Sequence, residues 1–138
     1  MDITVGEGDA ELDRRLSDEL DNVNAARTPG VQSARELTVQ VSDADGLVGG
    51  VSGWTWGIAA GIGMTWVRED ARGTGVGTRL LDAFETEARA RGAGRVFVTS
   101  FTFQAPGFYQ RHGYRELFRW DGVPAEGFAD IHLRKDLL

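Results

Sequence analysis

The segment Arg72-Gly73-Thr74-Gly75-Val76-Gly77 lies between an apolar run, Ile62 to Val67, and the helically spaced Leu80, Leu81, Phe84 and Ala88. Glycine at that density weakens any regular element, so the order reads strand, glycine turn, helix. Such a turn aims unpaired backbone N–H groups and the positive end of a helix dipole at one point, which suits a phosphate. Two phosphate motifs fit poorly. A P-loop needs Lys then Ser or Thr after its last glycine, whereas Gly77 is followed by Thr78-Arg79. A dinucleotide fingerprint needs G-x-G-x-x-G. Counted from Gly75, the last position is Leu80; counted from Gly73, it is Thr78.

Other chemistry is limited by composition. With no cysteine there is no disulfide, thiolate metal site or cysteine nucleophile. The two histidines, His112 and His132, are too few for a histidine metal site, and no metal is expected. His112 precedes Gly113 at the end of a short helical stretch, which suits a capping role. Trp54 and Trp56 stand two apart on a predicted strand and so share a face. Such a pair belongs to a sheet core or walls a cationic or planar substrate.

The elements that must position these residues can be read from periodicity. Ile3-Thr4-Val5 reads as a short first strand. Asp9 caps a helix running to about Ala26, with Leu12, Leu16, Leu20 and Val23 at helical spacing. Glu36 to Val41 and Leu47 to Trp56 read as a hairpin around Asp43-Ala44-Asp45-Gly46. Ile58 to Val67 is a glycine-rich strand prone to a bulge or a close backbone approach. A helix from about Gly75 to Arg91 succeeds the glycine turn. Then come a strand from Arg95 to Ser100, a short helix from Ala105 to His112, and strands from Tyr114 to Trp120 and Phe128 to Leu133. The expected fold is one α/β domain over 1–138. Its sheet is mixed and mostly antiparallel, with about six to seven strands and a central strand–helix–strand crossover.

The net charge of −6 argues against general nucleic-acid binding. Residues 1–26 carry eight acids and two bases, so that segment alone holds the excess. It reads as a solvated helix face or as an acidic wall, Asp21 included, that attracts a cationic substrate. No basic-then-apolar leader and no membrane-length apolar run is visible, and the protein is read as cytoplasmic, with no membrane partner.

Arg72-x-x-Gly75-x-Gly77 matches the R/Q-x-x-G-x-G/A signature of the GCN5-related N-acetyltransferase (GNAT) family. Val67 to Gly73 and Leu80-Leu81 resemble the residues around that motif. Ser100 to Tyr114, with Ala105, Phe108-Tyr109 and Gly113-Tyr114, resembles the family's second signature. The chain is similar to the family's bacterial small-molecule branch almost from end to end. The resemblance implies a GNAT fold whose crossover strands splay, acetyl-CoA as donor, a small-molecule amine as acceptor and a homodimer.

The resemblance also implies roles for single residues. Backbone groups of Arg72, Gly73, Thr74, Gly75, Val76, Gly77 and Thr78 hold the CoA pyrophosphate. A backbone N–H near Val67 polarises the thioester carbonyl. Tyr109 protonates the leaving thiolate, Phe108 packs beside it, and the Thr102 hydroxyl bonds the cofactor or Tyr109. Many members carry a glutamate on the strand that here reads Gly63 to Val67. With none present, Glu69 is the near carboxylate, and a water chain or Asp21 is the alternative base. Asp21, Trp54 and Trp56 are the candidate substrate residues. The remaining alternatives are a catalytically silent CoA-binding module and a protein N-terminal acetyltransferase.

Overall fold

The computed structural model describes every residue from Met1 to Leu138. Contacts group them into two compact units, Met1–Ser33 and Ala34–Leu138.

The first unit is essentially α1 (Ala10–Arg27). Asp9 caps it, its carboxylate accepting from the Leu12 N–H at 2.9 Å. At the other end the Thr28 amide and hydroxyl both donate to the Asn24 carbonyl. The stripe of Leu12, Leu16, Leu20 and Val23 is exposed, and α1 buries no residue. The expected strand at Ile3-Thr4-Val5 does not form. Ile3 and Val5 are each 93% exposed, and an apolar run of that length has no partner strand on which to spend its backbone hydrogen bonds.

The second unit is a six-stranded sheet. Its strands are β1 (Arg35–Asp43), β2 (Gly46–Trp56), β3 (Ala59–Val67), β4 (Arg95–Phe101), β5 (Arg115–Asp121) and β6 (Ala129–Asp136). Their spatial order is β1-β2-β3-β4-β6-β5. Every pair is antiparallel except β3 with β4. That parallel pair requires a crossover, supplied by a 3-10 turn (Glu69–Ala71) and α2 (Val76–Ala90). A short α3 (Pro106–Arg111) joins β4 to β5.

One face of the sheet holds the core. Leu37, Val51, Ala60, Ile62, Val96, Val98, Ile131 and Leu133 pack there with Leu80, Leu81, Phe84 and Ala88 of α2. Each buried Leu or Phe contributes about 1.5–3 kcal/mol over its exposed state. Glycines on β2 let α2 lie close: a Cβ on Gly49 would sit 3.0 Å from Leu80 Cδ1, and one on Gly53 would sit 3.1 Å from the Phe84 ring.

The register of β3 opens the sheet. Gly53 opposes Ile62 but Ser52 opposes Met64, so Gly63 is an extra, bulged residue. Pairing of β3 with β4 runs from Ala59↔Arg95 to Ile62↔Val98 and stops at that bulge. β4 meanwhile stays paired with β6 as far as Phe101↔Asp130. β3 and β4 therefore separate, leaving a wedge-shaped gap edged by residues 63–67 and 99–101.

Gly53 tests this packing. A Cβ there overlaps the Gly61 carbonyl oxygen of the neighbouring strand, which cannot move without breaking the ladder. Gly53→Ala is expected to destabilise by about 3 kcal/mol, the upper end of overpacking costs. Gly6→Ala, with nothing within 4 Å, is expected to stay within about 0.5 kcal/mol. Urea midpoints of the two variants make the comparison.

Candidate functional site

The gap carries unpaired backbone groups. The Arg68 N–H donates to the Val48 carbonyl at 2.7 Å, which makes that opposed pair a hydrogen-bonded one. By alternation along the antiparallel ladder, Trp66 and Met64 turn their amides to β2, while Thr65 and Val67 turn theirs away from it. Thr65 and Val67 therefore aim their N–H groups into the gap. The Val67 carbonyl accepts from Arg72 Nε at 2.9 Å, which ties the glycine turn to the strand end.

The glycine turn at the mouth of the gap has the expected form. Gly73 and Gly75 have φ of +74° and +91°, a region open to glycine and strained for other residues. Gly75 caps α2 without a side chain. The first intrahelical bond runs from the Arg79 N–H to the Gly75 carbonyl, so the amides of Gly75 through Thr78 have no helical acceptor. The Thr74 hydroxyl donates to the Ala71 carbonyl. Arg68 locks the approach to the turn, with Nε on Asp70 at 2.6 Å and Nη2 on Asp43 at 2.7 Å. That guanidinium lowers both carboxyl pKa values. Asp70 is thereby held as a structural anion.

α3 seals the inner side of the gap. Phe108 packs on Gly77, where a Cβ would lie 3.3 Å from the ring. His112 closes α3: Nδ1 is 2.8 Å from the Phe108 carbonyl and Nε2 is 2.9 Å from the Thr78 hydroxyl. The neutral tautomer with its proton on Nδ1 satisfies both contacts, since it donates to the carbonyl and accepts from the hydroxyl. His112 is thus the capping residue its position suggested. The α3 approach is pinned by buried Ser100, whose Oγ accepts from the Ala105 N–H at 3.2 Å, and by Gln104, whose Oε1 accepts from the Phe101 N–H at 2.8 Å.

Tyr109 is 6% exposed, between the rings of Phe108 and Tyr114 at 5.2 and 5.6 Å. Burial raises its pKa, and the Thr65 side chain acts against that rise. A phenol so placed is protonated at neutral pH and can donate. Tyr114 donates to buried Glu85 at 2.9 Å, and Lys135 Nζ reaches the other carboxylate oxygen at 2.8 Å. Glu85 is therefore paired on both carboxylate oxygens within the core. Burial and Glu85 together push the Tyr114 pKa up.

Other residues singled out from the sequence fall elsewhere. Thr102 is bonded to the backbone: its Oγ1 accepts from the Ala129 N–H at 3.2 Å, and its amide donates to the Ala129 carbonyl. It joins β4 to β6 and makes no bond to Tyr109. Glu69 is exposed at the start of the 3-10 turn. Asp21 lies on α1 in the first unit. Trp54 and Trp56 share the sheet face opposite α2, as expected, and alternation puts Met64 and Trp66 there too. The Trp54 indole lies directly over Gly61, so the strand has no room for a larger residue at that position. Thr65 is the gap residue that sequence reasoning missed. Its two-residue offset from Val67, which puts both on the gap, is the signal that finds it.

Residues 34–116 match the Acetyltransferase (GNAT) domain family. The chain belongs to the GNAT acetyltransferase family. It is 43% identical over 97 residues to blasticidin-S acetyltransferase of Streptomyces morookaense, covering 64% of this chain and 68% of that one. The crystal structure of an acetyltransferase from Bacillus cereus superposes with a TM-score of 0.79 at 28% identity, covering 97% of each chain. An aminoglycoside 6'-N-acetyltransferase complexed with coenzyme A shares the GNAT fold, with a TM-score of 0.67 at 19% identity over 97% of this chain and 95% of that one.

The two tyrosines give this GNAT domain an alkaline limit. Both native pKa values lie above the ordinary phenol value, so the native state holds protons that the unfolded chain releases above pH ~10. Their contribution to stability is full below that pH and is lost as pH rises through the native values. Urea midpoints are expected to fall steeply above pH ~10, and less steeply in Tyr114→Phe.

Proposed function

We propose that the protein transfers an acetyl group from acetyl-CoA to a primary amine of a small, cationic acceptor, directly within one ternary complex. The observation that carries this reading is the β3–β4 gap, with its free Thr65 and Val67 amides between the glycine turn and buried Tyr109. Bound acetyl-CoA supplies the activated thioester.

The chain's residues divide the work. Amides from Gly73 to Thr78 and the helix dipole hold the pyrophosphate. Arg72 spends Nε on Val67 and turns its other nitrogens to the same phosphates. Thr78 serves through its amide, because its hydroxyl is on His112. The pantetheine arm lies along β3 as an added strand, bonded by backbone groups. The Val67 N–H holds the thioester carbonyl and stabilises charge developing on its oxygen. Phe108 walls the arm. Tyr109 gives its proton to the sulfur as the C–S bond breaks.

Because α2 and α3 cover one face of the sheet, the amine approaches from the face carrying Trp54, Trp56, Met64 and Trp66. Those indoles suit a cationic or planar group. The net charge of −6 favours a cationic acceptor through the field of the whole chain. Similarity to blasticidin-S acetyltransferase supports a small antibiotic-like amine. Residues 63–67 carry no carboxylate, so the amine proton leaves to water, with exposed Glu69 the near carboxylate.

Thermal stability with acetyl-CoA, then thiol release across primary amines, tests the reading. A shift with thiol release on a cationic amine is expected. Tyr109→Phe is expected to lower kcat by roughly 100-fold while acetyl-CoA still binds. Binding with no turnover on any amine points instead to a silent CoA-binding module. No shift at all overturns the proposal.

A further inference from the structure

Thr65 carries a polar atom that has no role in the acetyl transfer proposed for the gap. Its Oγ1 is buried and has no hydrogen-bond partner, a state that protein interiors rarely leave unexplained. Thr65 lies on β3 two residues before Val67, so its side chain points to the core face that α3 closes. There it faces the Tyr109 phenol, the one titratable group on which it acts, without completing a hydrogen bond to it. Catalytic hydrogen bonds of this kind often tighten only when the substrate is bound. Tyr109 has no other polar contact of its own. Its ring neighbours are Phe108 and Tyr114, and the nearby charges, Glu85 and Lys135, are already bonded to each other and to Tyr114.

We propose that Thr65 is the positioning residue for Tyr109, its hydroxyl orienting the phenol toward the thioester sulfur and then donating to the phenolate that remains. The inference rests on the acetyl-transfer reading for its kinetic consequence, and for the contact on the buried, unpartnered Thr65 Oγ1 together with its effect on the Tyr109 phenol. The C–S bond breaks with its electron pair on sulfur, and Tyr109 Oη–H supplies the proton. The phenolate accepts a hydrogen bond from Thr65 Oγ1–H. It recovers a proton from water, which receives the one lost by the acylated nitrogen. Without the Thr65 hydroxyl the same phenolate forms in an apolar pocket with no donor, which raises the barrier.

Valine and serine separate this role from packing. Thr65→Val keeps the branched shape and removes the hydroxyl; Thr65→Ser keeps the hydroxyl and removes a methyl. Positioning predicts that Thr65→Val lowers kcat ~10-fold or more with the KM for acetyl-CoA little changed, and that Thr65→Ser recovers most of the rate. A packing role predicts the reverse order, and equal losses or that reverse order overturn the proposal. A second readout needs no acceptor. In a Tyr114→Phe background Tyr109 is the only tyrosine, and its ionisation is tracked by NMR of Cζ-labelled tyrosine. Thr65→Val is expected to raise the Tyr109 pKa and Thr65→Ser to leave it close to the parent. An unchanged titration in Thr65→Val overturns the contact even if the enzyme acetylates amines. A protein inactive on every amine, whose Tyr109 titration still responds to Thr65→Val, loses the catalytic reading while the contact stands.

Discussion

Everything at this site depends on one extra residue in one strand. Gly63 bulges from β3 just where pairing with β4 ends. A continuous parallel pair would consume the amides of Thr65 and Val67 in a ladder. The bulge instead turns them to a gap, where an extended ligand can complete the sheet. The cost is a stretch of unpaired edge inside the sheet, which isolated strands do not tolerate well. It is tolerated here because β2 holds β3 on one side and β6 holds β4 on the other, each through the whole region.

The helices convert that gap into a site. α2 starts at its mouth and presents free amides, and α3 fills its inner side with Phe108 and Tyr109. The two are locked by a polar chain from Thr78 through His112 to the Phe108 carbonyl, and by close packing of Phe108 on Gly77. Below them, Tyr114, Glu85 and Lys135 satisfy one another in the core. The parts that would bind phosphate and the parts that would handle the proton are thus fixed relative to each other by short, specific contacts.

Much of this is legible in the sequence because glycine and periodicity carry local information. Gly73, Gly75 and Gly77 mark the turn by the backbone it needs, and Leu80, Leu81, Phe84 and Ala88 mark the buried face of α2. Apolar alternation marks β1. The glycines of β3 signal a bulge or a close approach, and both occur: the bulge at Gly63, and the Trp54 indole over Gly61. What fails is long-range in origin. Ile3-Thr4-Val5 has strand chemistry but no partner. The Thr102 hydroxyl accepts from the Ala129 amide, a partner 27 residues away that no local pattern shows. Thr65 shares its facing with Val67 by simple alternation, but the gap that both face exists only because β3–β4 pairing stops at Ile62. That end of pairing comes from strand register, which a single sequence does not print.

Amide hydrogen exchange with and without acetyl-CoA tests the central claim most directly. The amides of Thr65 and Val67 face the gap, while those of Met64 and Trp66 are already held by β2. Acetyl-CoA is expected to slow exchange at Thr65, Val67 and the amides from Gly73 to Thr78, with Met64 and Trp66 little changed. Protection confined to the glycine turn, or spread evenly along β3, would contradict the account, because the gap would then not be where the ligand joins the sheet.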